Sequence, residues 1–277
     1  MSPVIGVPMP LIAEASVEAR ALSVGYGAET VVADIDFRLE RGKVLALVGS
    51  NGSGKTTLLK TIAGLLPPLS GTIRVLGGAP LARPSQVAFM GQFHPSSFIL
   101  PLRAIDVVRM ARFAAHGLLG RMTNRDEHAV REAMERMEVT PLAKEPLNTL
   151  SGGQRQKVFL AQAFARDADL ILLDEPAANL DTPARDTYRR LVRELAAAGR
   201  SVIVATHDID EAADYDWTML LARRVVAQGR VDDILTPETL LSTFGIAGSY
   251  KEGRVIIVAR EHGHEECGPH EHAPHRS

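Results

Sequence analysis

One stretch, VLALVGSNGSGKTTLLKTIAGLL at residues 44–66, limits what this chain can fold into more than any other. Val44 to Val48 is an apolar run of strand length, and Leu58, Leu59 and Ile62 then recur at helical spacing. A strand with no polar face must be covered on both sides, as in a parallel sheet layered by helices. Between strand and helix lies Gly49-Ser50-Asn51-Gly52-Ser53-Gly54-Lys55-Thr56, the pattern G-x4-G-K-[ST]. Glycines let backbone N–H groups curl around phosphate oxygens, and the helix that follows adds the positive end of its dipole. Lys55 supplies a point charge to the terminal phosphates, Thr56 a hard oxygen ligand for Mg²⁺, and Thr57 continues the binding surface.

Other apolar runs of strand length alternate with helical patterns, so the fold class is α/β. The strongest further buried strands are Leu170 to Leu173 and Val202 to Ala205. Val17 to Val24 and Val31 to Leu39 are β-rich and flank GYGAET, which predicts a hairpin beside the main sheet. Between Arg103 and Met137 the period becomes helical: Ile105, Val108 and Arg112 share one face, as do Val130, Met134 and Met137. In TPETLLSTFG, Thr236 caps a helix, Pro237 opens it and Gly245 ends it. GRVIIVAR reads as a last strand, 251–260, and no hydrophobic period follows it.

A second acidic element completes the phosphate chemistry. LILLDEP is an apolar strand ending in Asp174 and Glu175, of which the first suits a Mg²⁺ shell and the second can polarise a water for attack.

Composition excludes several classes. A formal charge of −2 provides no broad field for nucleic acid or an anionic bilayer, so no nucleic-acid partner is expected. No run of about 18 apolar residues is available to span a membrane. The opening segment, 1–15, lacks a basic region and is interrupted by Pro3, Pro8 and Pro10, which predicts an extended arm and not a signal peptide. A single cysteine, Cys267, fits a reducing compartment, and the cytoplasm is expected.

The sequence LSGGQRQKVFLAQAFARDADLILLDEP goes beyond generic nucleotide binding. Leu150-Ser151-Gly152-Gly153-Gln154, ending twenty residues before Asp174, resembles the signature motif of ABC-type ATPases. Tyr26 in VGYG resembles the family's adenine-stacking aromatic, Gln92 in VAFMGQ its Q-loop glutamine, Asn179-Leu180-Asp181 its D-loop and His207 in VIVATHD its switch histidine. The resemblance spans roughly residues 16–246, with departures at Ser50, where proline is common, and at Gly91 before Gln92.

The resemblance implies a P-loop NTPase fold with a RecA-like core sheet, an N-terminal antiparallel β subdomain and a helical signature subdomain at about 95–165, all within an ATPase domain at 16–250. It implies ATP and Mg²⁺ as ligands, with Mg²⁺ held through Thr56, Asp174 and Gln92, and hydrolysis through Glu175, His207 and Gln92. It also implies a second copy of the chain, whose Ser151, Gly152 and Gly153 would donate to the γ-phosphate bound by Lys55, and it counts Gln154 and Asp181 among the nucleotide-binding residues. Further implied partners are a multispanning permease, which would hold the chain at the cytoplasmic face of the membrane, and an extracytoplasmic metal-binding protein.

The segment FILPLRAIDVVRMARFAAHGLLGRM resembles the helical region of importer ATPases for metals and metal chelates, with Phe98 and Ile99 as candidate contacts to the permease. The spacing of Lys55 and Ser151 leaves no room for the long coiled coil of DNA-structure ATPases. A soluble single-cassette ATPase of iron–sulfur cluster assembly stays open as an alternative.

Five of nine histidines fall in the tail, 261–277: His262, His264, His270, His272 and His275, beside Cys267. Imidazole and thiolate suit Zn²⁺ and gain little with Mn²⁺, so the expected cargo is zinc first, manganese second and iron chelates third. The tail is itself a candidate Zn²⁺ site. Its composition reads equally as a disordered, solubilising end.

Overall fold

The computed structural model describes residues 14–92, 102–116, 121–251 and 254–260. The arm through residue 13, Phe98, Ile99 and the histidine-rich tail lie outside the described residues.

The predicted buried strand is β3 (Val44–Val48), with every residue buried. It occupies the middle of a six-stranded sheet in the order β5 (Val87–Met90), β6 (Leu170–Asp174), β7 (Ser201–Thr206), β3, β8 (Trp217–Leu221), β9 (Val225–Gly229). The first five of these run parallel, and β9 returns antiparallel beside β8. Crossover connections therefore cover both faces, which explains the unbroken apolar runs of β3, β6 and β7.

A separate antiparallel sheet has the order β2 (Glu29–Glu40), β1 (Ala15–Tyr26), β4 (Ser70–Val75). Tyr26 pairs with Glu29 across a two-residue turn in which Gly27 adopts φ 57, so the predicted hairpin forms. β1 begins at Ala15, the last residue that the sequence reading assigned to the arm.

Helix α1 (Lys55–Ile62) lies between the two sheets, its Leu58, Leu59 and Ile62 buried with Leu45 and Leu47 of β3 and Val24 and Val32 of the antiparallel sheet. The opposite face of the large sheet is covered by α5 (Thr182–Ala197) and by a helical layer of α2 (Ala104–His116), α3 (Asn124–Arg136) and α4 (Gly152–Ala165). The chain then adds α6 (Ile209–Ala212), α7 (Val231–Ile234) and α8 (Pro237–Phe244). Thr236 caps α8 and Gly245 ends it at φ 65, as the sequence predicts. The predicted last strand pairs as β11 (Arg254–Arg260) with β10 (Ile246–Lys251), a strand that the sequence reading did not separate. No helix among the described residues is long and apolar enough to cross a membrane.

Arg112 shares its helical face with buried Val108 and is itself only 7% exposed. Its Nε donates to Asp126 Oδ1 at 2.8 Å, and its Nη1 donates to the carbonyls of Ala165 and Arg166 at 3.1 and 3.2 Å. This side chain thus ties α2 to α3 and to the C-terminal end of α4. Removing one member of a buried pair leaves the other charge stranded. Arg112→Met is expected to lower unfolding free energy by about 3–5 kcal/mol in urea titrations. A loss below about 1 kcal/mol, the scale of an exposed ion pair, would contradict this assignment.

Candidate functional site

The loop between β3 and α1 holds its shape because two of its glycines have no room for a side chain. A Cβ at Gly49 would lie 2.2 Å from the Leu221 carbonyl oxygen. At Gly54, φ is 108° and a Cβ would lie 2.3 Å from Val32 Cγ2. Gly54 also occupies the N-cap of α1 and offers no capping side chain, so the first N–H groups of that helix stay available to an anion.

Lys55 is 5% exposed and folds back on this loop, donating from Nζ to the carbonyls of Gly49 at 2.7 Å and Ser50 at 3.1 Å. Its Nζ is also 3.5 Å from Glu175 Oε1. Burial pulls the Lys55 pKa down, and the Glu175 and Asp174 carboxylates oppose that fall. Glu175 Oε2 in turn lies 2.8 Å from His207 Nδ1. One carboxylate therefore joins the lysine of the first motif to the histidine at the end of β7.

Glu175 holds a positive φ of 52°, a conformation that costs an ordinary residue about 1–3 kcal/mol and persists where surrounding contacts enforce it. Here its N–H donates to the Ala205 carbonyl at 2.9 Å. Gln156 of α4 donates from Nε2 to the carbonyls of Glu175 and Pro176 at 3.2 and 2.8 Å, so the signature helix grips the turn that carries the carboxylate.

Asp174 ends β6 at 1% exposure, and neither of its carboxylate oxygens has a hydrogen-bond partner. Burial pushes its pKa up; the nearby Thr56 hydroxyl and Lys55 pull against that, and Glu175 adds to it. A buried carboxylate short of partners beside a hydroxyl offers hard oxygen donors of the kind Mg²⁺ prefers, so these residues fit that ion.

A cleft of about 470 Å³ opens over this arrangement. Of the residues expected from sequence it is lined by Tyr26, Asn51, Gly52, Ser53, Gly54, Lys55, Thr56, Thr57, Gln92 and Glu175. Val31 and Arg223 line it as well, and sequence reasoning missed both. Gln156 was missed too, although its place in LSGGQRQ, two residues after Gln154, is a signal that was there to read.

The signature residues are elsewhere. Ser151 caps α4 and forms a capping box with Gln154. With Gly153, Asn179 and Asp181 these two line a different cleft, of about 540 Å³, which shares no lining residue with the first. Gly152, the first residue of α4, faces the Asn179 side chain across the same junction. At Gly153 a Cβ would come within 2.8 Å of the Asn179 carbonyl oxygen, and Asp181 accepts from the Ala184 N–H as the cap of α5.

The model for the family described as ABC transporter matches residues 32–178. The chain is 34% identical over 251 residues to the manganese transport system ATP-binding protein MntB of Bacillus subtilis, covering 90% of this chain and 99% of that one. It is likewise 34% identical to the zinc transport system ATP-binding protein TroB of Treponema pallidum, over 91% of this chain and 92% of the relative. Among solved structures, one described as a metal-chelate type ABC transporter in an inward-facing conformation is similar with a TM-score of 0.73 and 28% identity, covering 88% of this chain and 96% of that chain.

A carboxyl whose folded pKa is raised favours the folded state only while protonated, and that contribution is lost as pH rises through its folded value. Asp174→Asn is therefore expected to raise the melting temperature of the metal-free protein at neutral pH. The gain should shrink as pH falls into the range where Asp174 itself takes up a proton. Thermal melts of both proteins across that range check this, and a less stable variant at neutral pH would refute it.

Proposed function

This chain belongs to the ABC transporter family of ATP-binding proteins, and from that premise we propose that it is the ATP-hydrolysing subunit of a membrane importer for a transition metal, with zinc as cargo. The observation that carries the enzymatic part is the Lys55–Glu175–His207 contact at the floor of the phosphate-loop cleft.

In this reading the β- and γ-phosphates of ATP take the place of the Gly49 and Ser50 carbonyls and of Glu175 around Lys55. The loop N–H groups and the start of α1 surround the remaining phosphate oxygens. Thr56, Asp174 and Gln92 would hold Mg²⁺, which when bound neutralises charge that develops on the phosphates. Glu175, released from Lys55, orients the attacking water and accepts its proton. His207 then bonds the γ-phosphate and keeps Glu175 aimed. Tyr26 at the rim, 47% exposed, offers its ring to adenine.

Ser151 lines a cleft apart from Lys55, so a γ-phosphate held by one chain is completed by the signature of another. A head-to-tail pair of copies gives two such composite sites. The permease that would use this work, at the cytoplasmic face of the membrane, and an extracytoplasmic metal-binding protein are part of the same proposal.

The relatives named for manganese and for zinc are equally similar, so transition-metal transport is the common ground. The choice of zinc rests on the donor chemistry of His262, His264, Cys267, His270, His272 and His275. Manganese is the second reading, supported by the MntB relative.

Glu175→Gln keeps the side chain's shape and removes its charge. ATP turnover should fall about 10²- to 10⁴-fold, with Mg-ATP binding retained. An unchanged rate would exclude Glu175 from this role. In cells, Lys55→Ala should abolish accumulation of radiolabelled zinc and leave manganese unaffected; lost manganese uptake with normal zinc uptake would reverse the cargo assignment.

A further inference from the structure

Arg223 lines the phosphate-loop cleft, yet the chemistry proposed above gives it no part. Among the described residues that line this cleft, Lys55 and Arg223 are the two cations. Lys55 is buried at the floor, whereas the Arg223 side chain is 62% exposed.

The backbone of Arg223 is nevertheless tightly held. It adopts φ 55, a left-handed conformation that an ordinary residue keeps only where its surroundings enforce it. Its N–H donates to the Ser53 carbonyl at 3.0 Å. Leu221, the last residue of β8, sets its carbonyl so close to Gly49 that a Cβ there would lie 2.2 Å from the oxygen. The turn between β8 and β9 is thereby fastened to the phosphate loop at two points.

The hairpin that carries Tyr26 is packed on the same loop. Val32 of β2 crowds Gly54, the neighbour of Ser53, leaving no space for a side chain there. Tyr26 and Glu29 are direct partners across the hairpin, an arrangement that sets two side chains on one face. Arg223 Nη2 lies 3.6 Å from Glu29 Oε1, so its guanidinium reaches the residue paired with Tyr26. Both members of this ion pair are exposed, and such pairs contribute little to stability. Stability alone therefore does not account for an arginine in a strained conformation at the cleft wall.

We propose that Arg223 is a nucleotide-binding residue that grips the adenosine end of ATP together with Tyr26, its guanidinium stacking on the adenine that lies against the Tyr26 ring. This rests on the nucleotide reading of the cleft given above. A guanidinium is planar, weakly hydrated for a cation and well suited to aromatic faces, and a purine presents such a face. The fixed backbone confines the search of a long, flexible side chain to the mouth of the cleft, which lowers the entropy lost on binding.

The test is a double-mutant cycle on the affinity of the full chain for Mg-ADP, which carries the adenosine end and is not hydrolysed, with melting temperature as a parallel readout. Arg223→Ala should weaken Mg-ADP binding by about 3- to 30-fold in calorimetric titrations. Arg223→Lys keeps the charge and loses the plane, so it should stay close to the alanine variant. In a Tyr26→Ala background, where the base is no longer held, Arg223→Ala should cost less than about twofold more.

Wild-type affinity in Arg223→Ala, full affinity in Arg223→Lys, or the same proportional loss with and without Tyr26 would each overturn the proposal; the second result would assign Arg223 to charge on the phosphates instead. Should Arg223→Ala not fold, Arg223→Gly, which accepts a positive φ without strain, carries the same cycle with the same expectations. Failure of the nucleotide reading looks different, and would take this proposal with it: the wild-type chain would then show no Mg-ADP binding that Lys55→Ala weakens.

Discussion

The site depends on how a buried lysine is kept charged. Lys55 sits at the base of a glycine loop that offers it only carbonyl oxygens, and the nearest full negative charge comes from Glu175, at the end of a strand more than a hundred residues later. Burial disfavours the charged ammonium, and the Glu175 and Asp174 carboxylates oppose that effect. The adjacency of β3 and β7, and of β7 and β6, brings the two within 3.5 Å. The parallel sheet is therefore as much a device for holding charges as a core. The same strand ends deliver His207 to Glu175 and leave Asp174 with unfilled oxygens. The groups assigned to hydrolysis contact one another through Glu175, and in the proposed reaction phosphate takes the place of that carboxylate beside Lys55.

The helical layer has a different physical character. Arg112 ties its own helices together, the layer shares a buried apolar core with the large sheet, and Arg136 with Glu194 and Gln156 on the turn after Asp174 add polar links to the rest. Helix α1, by contrast, is packed between two sheets. The signature residues belong to this layer and line their own cleft. That separation is the reason for proposing a pair of chains: the chemistry of Ser151 has no phosphate to act on within its own copy.

Much of this was legible in the sequence because the decisive residues are local. The phosphate loop, the acidic strand end and the signature each occupy a few consecutive positions, and their neighbours declare strand or helix by period. Thr236 and Gly245 bounded α8 for the same reason. What escaped was tertiary. Arg112 could be placed on a face with Val108, but its partner Asp126 could not be inferred from spacing. Glu211 reads as one more acid in THDIDEA, and only the approach of Tyr188 and Tyr215 buries it. Arg223 enters the cleft because β8 and β9 turn beside Ser53, whose carbonyl accepts the Arg223 N–H at 3.0 Å. The sequence reading did not separate β10, since Ile246 to Lys251 is short and mixed in character.

The central claim is that an active site is shared between two copies, and mixing two inactive variants tests it most directly. Lys55→Ala leaves a chain with an intact signature, and Ser151→Ala leaves one with an intact phosphate loop; each alone assembles only damaged sites. A mixed pair joins the intact Lys55 of one copy to the intact Ser151 of the other. ATPase activity should therefore appear on mixing, beyond the sum of the separate preparations. A mixture no more active than that sum, with mixed pairs demonstrated by differential tags, would contradict the shared site.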